Sequence, residues 1–319
     1  MFAVVLVGGF GTRLRPLTNT TPKPLLPLGQ RTILEWLMMH LARGGVTDAV
    51  LALGFKPEPF LREFPDATCA GVRLTYAIED SPLDTGGAIG FAARSAGLHE
   101  RGETFVVANG DIVTDLDIAR LAERHRANVA KGGEVTIHLV PVDDPSQYGV
   151  VECDSEGRVA GFREKPAPGT TTSRYVNAGT YVVEPSALSL MPGDAPLSIE
   201  RVTFPELARR GTLYAHPTDD YWLDAGRPES YRRANLDLIG GLRRERDDAV
   251  HSSANIASTA VVRNSVIGSG ARIADGANVV DSVVFPGATV GANANVVACS
   301  VMGDVDAGAE LRDALVGRN

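Results

Sequence analysis

The chain has 319 residues, more than one average domain, and 44% of them are hydrophobic, enough to build a substantial core. Its net charge of −8 argues against general affinity for nucleic acid or for an anionic membrane, because both need a basic field. We therefore expect neither partner. The cysteines Cys69, Cys153 and Cys299 are far apart, which indicates reduced thiols in a cytoplasmic protein, without a disulfide framework or a zinc site.

The first half of the chain alternates between strand and helix patterns. Strands are predicted at 2–7, 49–54, 72–79, 104–111 and 134–142, and helices at 32–43, 85–96 and 117–128. This alternation predicts an α/β fold with a mainly parallel central sheet. In such sheets ligands bind beyond the carboxyl ends of the strands. The glycine-rich loop at 8–11 and Asp111 both follow such ends.

The pattern changes after residue 148. Short β-rich pieces between 148 and 185 predict an antiparallel insertion that covers the sheet. A helix is predicted at 198–211, a strand end at 221–226, and a long helix at 228–247 that ends in a solvated Arg/Glu-rich stretch. We place the domain boundary there, which gives a catalytic domain at 1–248 and a second domain at 249–319.

The second domain carries a six-residue repeat. Small residues fill the gaps between aliphatic residues that recur six apart in two runs, Ile267, Ile273 and Val279, then Val284, Val290 and Val296. This period is typical of the hexapeptide parallel β-helix, with about three coils for the length available. A flexible Gly/Ala linker is the alternative, but the spacing holds through both runs.

The loop after the first strand is rich in glycine and positively charged. The stretch VGGFGTRLRPLTNTTPKPLLPLG, residues 7–29, contains no acidic residue. Glycines let backbone N–H groups converge on an anion, although this spacing is neither the Walker nor the dinucleotide motif. Glycines alone favour a tight turn. Arg13, and Lys23 between Pro22 and Pro24, point further to a phosphate, because the prolines restrict where the ammonium is placed.

The lysines support this interpretation. The chain has only four, Lys23, Lys56, Lys131 and Lys165, among 31 basic residues. A sequence that uses arginine for ordinary positive charge is expected to keep lysine where the larger guanidinium would not fit.

The opening stretch resembles the signature of the sugar-phosphate nucleotidyltransferases, the nucleotide-sugar pyrophosphorylases. Later motifs of that family follow in the same order, namely NGD at 109–111, YGVV at 148–151, FREKP at 162–166, NAGTYVV at 177–183 and WLDAGRPESY at 222–231. The resemblance covers essentially the whole chain. LVGGFGTRLRPLT and SIERVTFPEL (198–207) are most similar to the mannose-1-phosphate guanylyltransferase branch.

The resemblance implies a fold and a reaction. The fold is a Rossmann-like nucleotidyltransferase domain followed by a short left-handed parallel β-helix. In the reaction a sugar 1-phosphate oxygen attacks the α-phosphorus of a nucleoside triphosphate and pyrophosphate leaves in line. GTP and mannose 1-phosphate are the implied substrates, with Mg²⁺ as the cofactor because two polyanions must meet. The chain is also expected to form a homo-oligomer, and its tail either mediates this assembly or packs on the catalytic domain.

The resemblance also implies roles for individual residues. The catalytic set is Arg13, Lys23, Asp111, Lys165 and Asp224, in which Arg13 holds the β- and γ-phosphates, Lys23 lies near the α-phosphate, and Asp111 and Asp224 bind the metal. The nucleotide-binding set adds Leu6, Gly8, Gly9, Gly11, Thr12, Thr85, Gly86, Gly87, Asn109 and Gly110. The sugar-phosphate set is Tyr148, Gly149, Glu164, Lys165 and Asn177.

Two alternatives stay open. The same chemistry fits ATP or dTTP with glucose 1-phosphate or a sugar-like cyclitol phosphate. A non-catalytic subunit that binds nucleotide sugars is the other alternative, although such subunits typically lack the loop arginine, the lysine or a metal carboxylate.

Position 84 departs from the family pattern. Asp84 stands where guanylyltransferase-type relatives often carry glycine. Its carboxylate either accepts from a purine or caps the following helix, and the sequence favours the cap.

Overall fold

The computed structural model describes residues 1–9, 11–54 and 57–318, so Phe10 of the glycine loop and Lys56 lie outside the described residues. The chain divides into two compact units. We call residues 1–9 with 37–222 the sheet unit, and residues 11–36 with 223–318 the β-helix unit. The predicted boundary between 248 and 249 stays a prediction.

The elements follow the predicted order. The first fourteen strands are β1 Phe2–Leu6, β2 Pro27–Leu28, β3 Arg31–Thr32, β4 Asp48–Leu53, β5 Thr68–Cys69, β6 Val72–Ile78, β7 Phe105–Asn109, β8 Ile112–Thr114, β9 Val135–Pro141, β10 Gly149–Cys153, β11 Val159–Glu164, β12 Tyr175–Val183, β13 Leu213–Pro217 and β14 Trp222–Asp224. The helices are α1 Ile33–Arg43, α2 Glu58–Glu63, α3 Asp84–Ser95, α4 Leu98–Arg101, α5 Ile118–Val129, α6 Phe204–Arg210 and α7 Pro228–Gly240.

Four parallel strands form the centre of the sheet unit, in the order β7-β1-β4-β6. Val4 of β1 is aligned with Val50 of β4 and Val107 of β7, and all three are fully buried. Buried parallel strands need apolar residues on both faces, which is why these segments are almost continuously hydrophobic. The mainly parallel sheet is confirmed, and its carboxyl ends meet at one edge.

The antiparallel strands lie elsewhere than expected. Strand β12 pairs antiparallel with β7, β10 pairs with both β12 and β11, and β9 lies between β12 and the parallel strand β13. The expected antiparallel pairing is confirmed, but the expectation that these strands cover the sheet is wrong. They extend it instead, because β12 supplies backbone partners to the open edge of β7.

Two helix predictions need correction. The predicted helix at 198–211 begins with a wide π-type turn at Ile199–Thr203 before α6. The predicted helix at 228–247 ends at Gly240, because Gly241 takes a left-handed conformation with φ +75° and closes the helix. The Arg/Glu-rich stretch is therefore not helical.

Helix α3 packs closely against residues 191–199 of the same unit. A Cβ at Gly87 would lie 2.6 Å from the carbonyl oxygen of Ala195, and a Cβ at Gly86 or Gly90 would collide with Leu197 or with the Met191 carbonyl. These three glycines let a helix touch backbone, a contact that any side chain would prevent.

The β-helix unit has three faces of four parallel strands each. Its strands are β15 Asn255–Ile256, β16 Val261–Arg263, β17 Val266–Ile267, β18 Arg272–Ile273, β19 Asn278–Val280, β20 Val283–Val284, β21 Thr289–Val290, β22 Asn295–Val297, β23 Ser300–Val301, β24 Asp304–Val305, β25 Glu310–Arg312 and β26 Leu315–Val316. The six aliphatic residues picked from the repeat are at most 2% exposed. The predicted left-handed parallel β-helix is confirmed, with four strands per face and so one coil more than expected.

In the regular part of this unit each coil is 17 residues long, as the spacing of Asn264, Asp281 and Ala298 shows. All three take positive φ at the same corner, with values of 42°, 51° and 56°. The tight left-handed corner saves one residue per coil, which explains the five-residue step between Val279 and Val284 in the repeat.

We expect Gly90→Ala to destabilise the protein by about 1–3 kcal/mol, since its Cβ would collide with the Met191 carbonyl. Gly240→Ala is the matched control, because Gly240 is also helical and a Cβ there meets nothing within 4 Å. The control should be neutral or stabilising by up to about 1 kcal/mol. Denaturant unfolding of both variants tests this, and equal stabilities would contradict the packing described for α3.

Acid should destabilise the sheet unit through His138. This side chain is fully buried on β9 with Nε2 2.8 Å from Thr218 Oγ1, and burial, then the charges of His216 and His40, lower its pKa to about 3. The unfolded chain binds the proton more readily, so stability is lost as the pH falls below about 6.5.

At pH 5 the loss from this group should be about 2 kcal/mol relative to neutral pH. His138→Gln cannot titrate and should lose correspondingly less stability between pH 7.5 and 5. Identical pH profiles for the free energy of unfolding in the two proteins would refute the assignment.

Candidate functional site

The carboxyl edge of the parallel strands brings together one group of predicted residues. Leu6 and Asn109 end β1 and β7, Gly8 and Gly9 follow β1, and Gly110 and Asp111 follow β7. The Gly110 N–H donates to the Leu6 carbonyl at 2.8 Å, and a Cβ there would lie 2.6 Å from Val7 Cγ1. Glycine therefore lets the two strand ends approach, and Asp111, partly buried, follows directly.

A second predicted group lies on the antiparallel strands of the same unit. Gly149 of β10 is aligned with Glu164 of β11, and the Lys165 N–H donates to the Tyr148 carbonyl at 2.9 Å. Lys165 Nζ lies 3.3 Å from Glu164 Oε1, and its backbone takes a positive φ of 46°. A left-handed lysine is uncommon, and such positions concentrate at functional sites.

Asn177 is held by two bonds. Its Nδ2 donates to the Tyr181 hydroxyl at 3.0 Å, and its Oδ1 accepts from the Gly179 N–H at 2.9 Å. Both bonds fix the orientation of the amide, which keeps one further N–H and one further lone pair for another partner.

Tyr181 connects these two groups. Its hydroxyl is fully buried, and burial raises its pKa, with further increases from the charges of Glu200, Glu164 and Asp111. Three carboxylates thus lie near one buried hydroxyl, at the junction of the parallel and antiparallel strands. Negative charge is thus concentrated around this hydroxyl, an arrangement that a bound cation would stabilise.

The β-helix unit holds the predicted lysine and the second aspartate together. Lys23 begins a 3₁₀ turn at Lys23–Leu25, is 6% exposed, and its Nζ lies 3.5 Å from Asp224 Oδ1. Gly226 adjoins this pair, since a Cβ there would lie 2.7 Å from Asp224 Oδ1 and 3.0 Å from Lys23 Nζ. The two side chains therefore form an ion pair in which the lysine is buried and the aspartate is partly exposed.

The rest of the basic loop lies in the same unit. Gly11 has a positive φ of 57°, and its carbonyl accepts from the Thr18 hydroxyl at 2.8 Å. Thr12 and Arg13 follow in a 3₁₀ turn and are exposed to solvent. The loop therefore presents its arginine outward while the lysine is enclosed.

Residues 85–87 already have partners within the protein. The Gly86 and Gly87 N–H groups both donate to the Leu197 carbonyl, at 2.7 and 3.0 Å, and the Thr85 hydroxyl donates to Glu200 Oε2 at 2.7 Å. Their predicted contact with the base and ribose stays a prediction, and it would use other atoms than these. The glycines are required for packing in any case.

The favoured role of Asp84 is wrong. Asp84 is the first residue of α3, the preceding cap residue is Leu83, and no side chain caps the helix. The Asp84 carboxylate instead accepts from the N–H of its neighbour Thr85, at 2.8 Å. A capping side chain accepts from residues two or three positions further on, and those N–H groups are taken by Leu197.

Three residues near the site escaped the sequence-based prediction. Tyr181 and Glu200 lie inside motifs that the sequence did show, but a lone tyrosine or glutamate in such a motif has no pattern of its own. Glu79 is buried at the end of β6, where burial raises its pKa, and its Oε2 accepts from the Leu83 N–H at 3.0 Å. Only the fold reveals these contacts.

The predicted site residues fall into both units. Asp111, Lys165 and the sugar-phosphate set belong to the sheet unit, and Gly11, Thr12, Arg13, Lys23 and Asp224 belong to the β-helix unit. The joint binding of one metal ion by Asp111 and Asp224 stays a prediction. Within the described residues, no helix is both long and apolar enough to cross a membrane.

Comparison with known families identifies both parts of the chain. Residues 2–240 match the family model described as nucleotidyl transferase, and residues 240–316 match the model described as GlmU-like, C-terminal hexapeptide.

Individual relatives agree with the family models. The chain is 40% identical over 242 residues to a mannose-1-phosphate guanylyltransferase of Mycobacterium tuberculosis, a match that covers 75% of this chain and 65% of the relative. It is 34% identical over 265 residues to a mannose-1-phosphate guanyltransferase of Saccharomyces cerevisiae, covering 82% and 71%. The chain thus spans about two thirds of the length of these relatives.

A solved structure is also similar. The structure of HddC from Yersinia pseudotuberculosis complexed with GMP-PN has a TM-score of 0.59 and 29% identity, covering 73% of this chain and 97% of that one. From its family-model match and these relatives, the chain belongs to the nucleotidyl transferase family, with a GlmU-like hexapeptide region at its carboxyl end.

Proposed function

We propose that the protein transfers a guanylyl group from GTP to mannose 1-phosphate, giving GDP-mannose and pyrophosphate. The observation that carries the proposal is the buried Lys23, held 3.5 Å from Asp224, in a chain 40% identical to a mannose-1-phosphate guanylyltransferase over 242 residues. A buried ammonium in a fixed position can stabilise the negative charge that develops on a phosphate during the transfer.

The proposed reaction gives each predicted site residue a role. A phosphate oxygen of the sugar 1-phosphate forms a bond to the α-phosphorus of the triphosphate, and the bond to the β-phosphate oxygen breaks in line with it. Lys23 stabilises the charge near the α-phosphate and Arg13 that of the departing pyrophosphate. Lys165 binds the sugar phosphate, while Glu164 and Asn177 bind sugar hydroxyls.

Nucleotidyl transferases of this family generally use a divalent metal ion, and we propose Mg²⁺ here. Asp111 and Asp224 fit it, since they are hard oxygen ligands and Mg²⁺ is usually bound by one or two carboxylates with substrate phosphates completing the shell. The described residues contain no cluster of three or more His, Cys, Asp or Glu suited to a metal. Bound Mg²⁺ would neutralise charge on the phosphates.

A cytoplasmic location and a homo-oligomeric assembly remain predictions from the sequence.

The experiment that tests the function measures pyrophosphate release with Mg²⁺ across GTP, ATP, dTTP and UTP, each with mannose, glucose and N-acetylglucosamine 1-phosphates. We expect the largest kcat/KM for GTP with mannose 1-phosphate, and loss of release in Asp111→Asn.

The other outcomes separate the alternatives. A dominant signal with another pair would keep the nucleotidyl transfer and replace the substrates. Nucleotide binding without release on any sugar phosphate would favour a regulatory subunit.

Lys23→Ala should lower kcat/KM by about 10²–10³-fold, because it removes charge stabilisation from the transition state. Lys23→Arg should also lower kcat/KM, since Lys23 is only 6% exposed and a guanidinium is larger and planar. Lys131→Ala is the matched control: Lys131 pairs with Glu156 at 3.2 Å on the surface, where both side chains are about half exposed or more.

The control should retain full activity and the same melting temperature. If Lys23→Ala remained as active as Lys131→Ala while properly folded, Lys23 would have no part in the reaction.

A further inference from the structure

Two buried polar side chains of α7 hold the segment that follows Lys23. The Tyr231 hydroxyl donates a hydrogen bond to the Pro27 carbonyl. Asn235 Oδ1 accepts from the Gly29 N–H at 2.8 Å, and Asn235 Nδ2 donates to the Tyr231 carbonyl at 3.0 Å. Both side chains are fully buried and lie four residues apart on one face of the helix, so they form one connected group.

Apolar side chains would fill this helix face at lower cost. Asparagine is a weak helix former, and burying an amide or a hydroxyl is unfavourable unless it is hydrogen-bonded. Burial raises the pKa of the Tyr231 phenol, so the hydroxyl stays protonated and able to donate. Tyr231 and Asn235 are therefore specific ties to the backbone of residues 27–29.

The tied segment is close to Lys23 along the chain. Lys23 lies in a 3₁₀ turn, in which the Leu26 N–H donates to the Lys23 carbonyl at 3.0 Å. Strand β2 begins at the next residue, Pro27, and pairs with β3 as a hairpin. A displacement of Pro27 would therefore also displace Lys23, because a hydrogen-bonded turn connects them.

Helix α7 also follows the acidic partner of Lys23. Asp224 lies four residues before Pro228, where α7 begins, and the Tyr231 N–H donates to the Arg227 carbonyl at 2.8 Å in the first turn. The Tyr231 hydroxyl thus joins the two chain segments whose side chains meet at 3.5 Å, through Lys23 Nζ and Asp224 Oδ1.

The β-helix supports the same contact. The Phe285 ring follows β20, is 2% exposed and packs on the Tyr231 ring with centroids 6.1 Å apart. Gln30, in the turn between β2 and β3, donates through Nε2 to the Asp248 carbonyl at 2.9 Å and to the Ile267 carbonyl at 3.3 Å. The β-helix therefore holds both the tyrosine and the hairpin that the tyrosine binds.

We propose that Tyr231 and Asn235 are positioning residues for Lys23, and that they fix its ammonium for the transfer through the backbone of Pro27 and Gly29. The β-helix is then part of the support of this lysine. The inference rests on the proposed function for the role of Lys23 in the reaction, whereas the position of the lysine can be measured without substrate.

Tyr231→Phe removes the hydroxyl and keeps the ring. We expect kcat to fall about 5- to 50-fold, because the Pro27 carbonyl loses its partner and Lys23 is displaced. KM should change by less than about twofold, since Lys23 acts on the transition state. In a Lys23→Ala background the same substitution should cause no further loss, because its effect acts through Lys23.

Tyr214→Phe is the matched control. Tyr214 is equally buried, on β13 of the sheet unit, and its hydroxyl accepts from Arg158 Nη2 at 3.2 Å. The control should lower the melting temperature by a similar amount and keep the wild-type kcat. Asn235→Ala is a second test variant, and it should lower kcat as Tyr231→Phe does.

Chemical labelling tests the position of Lys23 without substrate. With limiting acetic anhydride, the buried Lys23 of the wild-type protein should be acetylated more slowly than Lys131, which is about half exposed. In Tyr231→Phe and Asn235→Ala the Lys23-to-Lys131 ratio, read by peptide mass spectrometry, should rise about 3- to 10-fold. In Tyr214→Phe it should not change.

An unchanged labelling ratio in both test variants would overturn the assignment. So would an unchanged kcat, or a loss of kcat from Tyr231→Phe that is as large in the Lys23→Ala background as in the wild-type protein. If the ratio rises in a protein that releases no pyrophosphate with any substrate pair, the proposed function fails while the positioning of Lys23 by α7 stands.

Discussion

Helix α3 touches the backbone of residues 191–199 through three glycines, and the arrangement of this part of the sheet unit depends on that contact. The contact lets the Leu197 carbonyl reach the first N–H groups of the helix, at 2.7 and 3.0 Å. Those donors would otherwise form an anion site at a helix start. Because they are occupied, α3 is a support for the residues before it and not itself a phosphate cradle.

The same contact joins two parts of the unit that are far apart in sequence. Thr85 and Glu200 are separated by 115 positions and joined by one hydrogen bond. Phe204, one helical turn beyond Glu200, packs on Tyr181 with ring centroids 5.1 Å apart and on Phe162 at 5.2 Å. Phe162 lies two residues before Glu164, on the same face of β11. Packing therefore fixes the position of β11 relative to the start of α3.

Positive and negative side chains are distributed unevenly along the chain. The net charge of −8 belongs to the surface as a whole, while the basic loop carries no acidic residue between positions 7 and 29. Within that loop the arginine is exposed and the lysine is buried against a carboxylate. The two side chains therefore differ in freedom, since the lysine is held by its ion pair and the arginine is surrounded by solvent.

Much of this protein was determined by local sequence. Residues that are close in the chain encode the buried parallel strands, the hexapeptide repeat and the glycine loop. Burial of a strand on both faces gives a continuous apolar run, and a β-helix gives an aliphatic residue every six positions. Longer-range features left no such trace. Backbone partners decided the direction in which β12 joins β7 and the number of strands per face of the β-helix. The end of α7 at Gly240 depended on the left-handed residue that follows it.

The candidate site divides in the same way. Lys23, Asp111, Lys165 and Asp224 could be named from the sequence, because each belongs to a motif with neighbours of fixed type. The roles of Tyr181 and Glu200, and the failure of Asp84 to cap α3, came only from the tertiary structure. A hydrogen bond between residues 115 positions apart, and a backbone φ of 56°, are consequences of packing, and no local pattern of side chains records them.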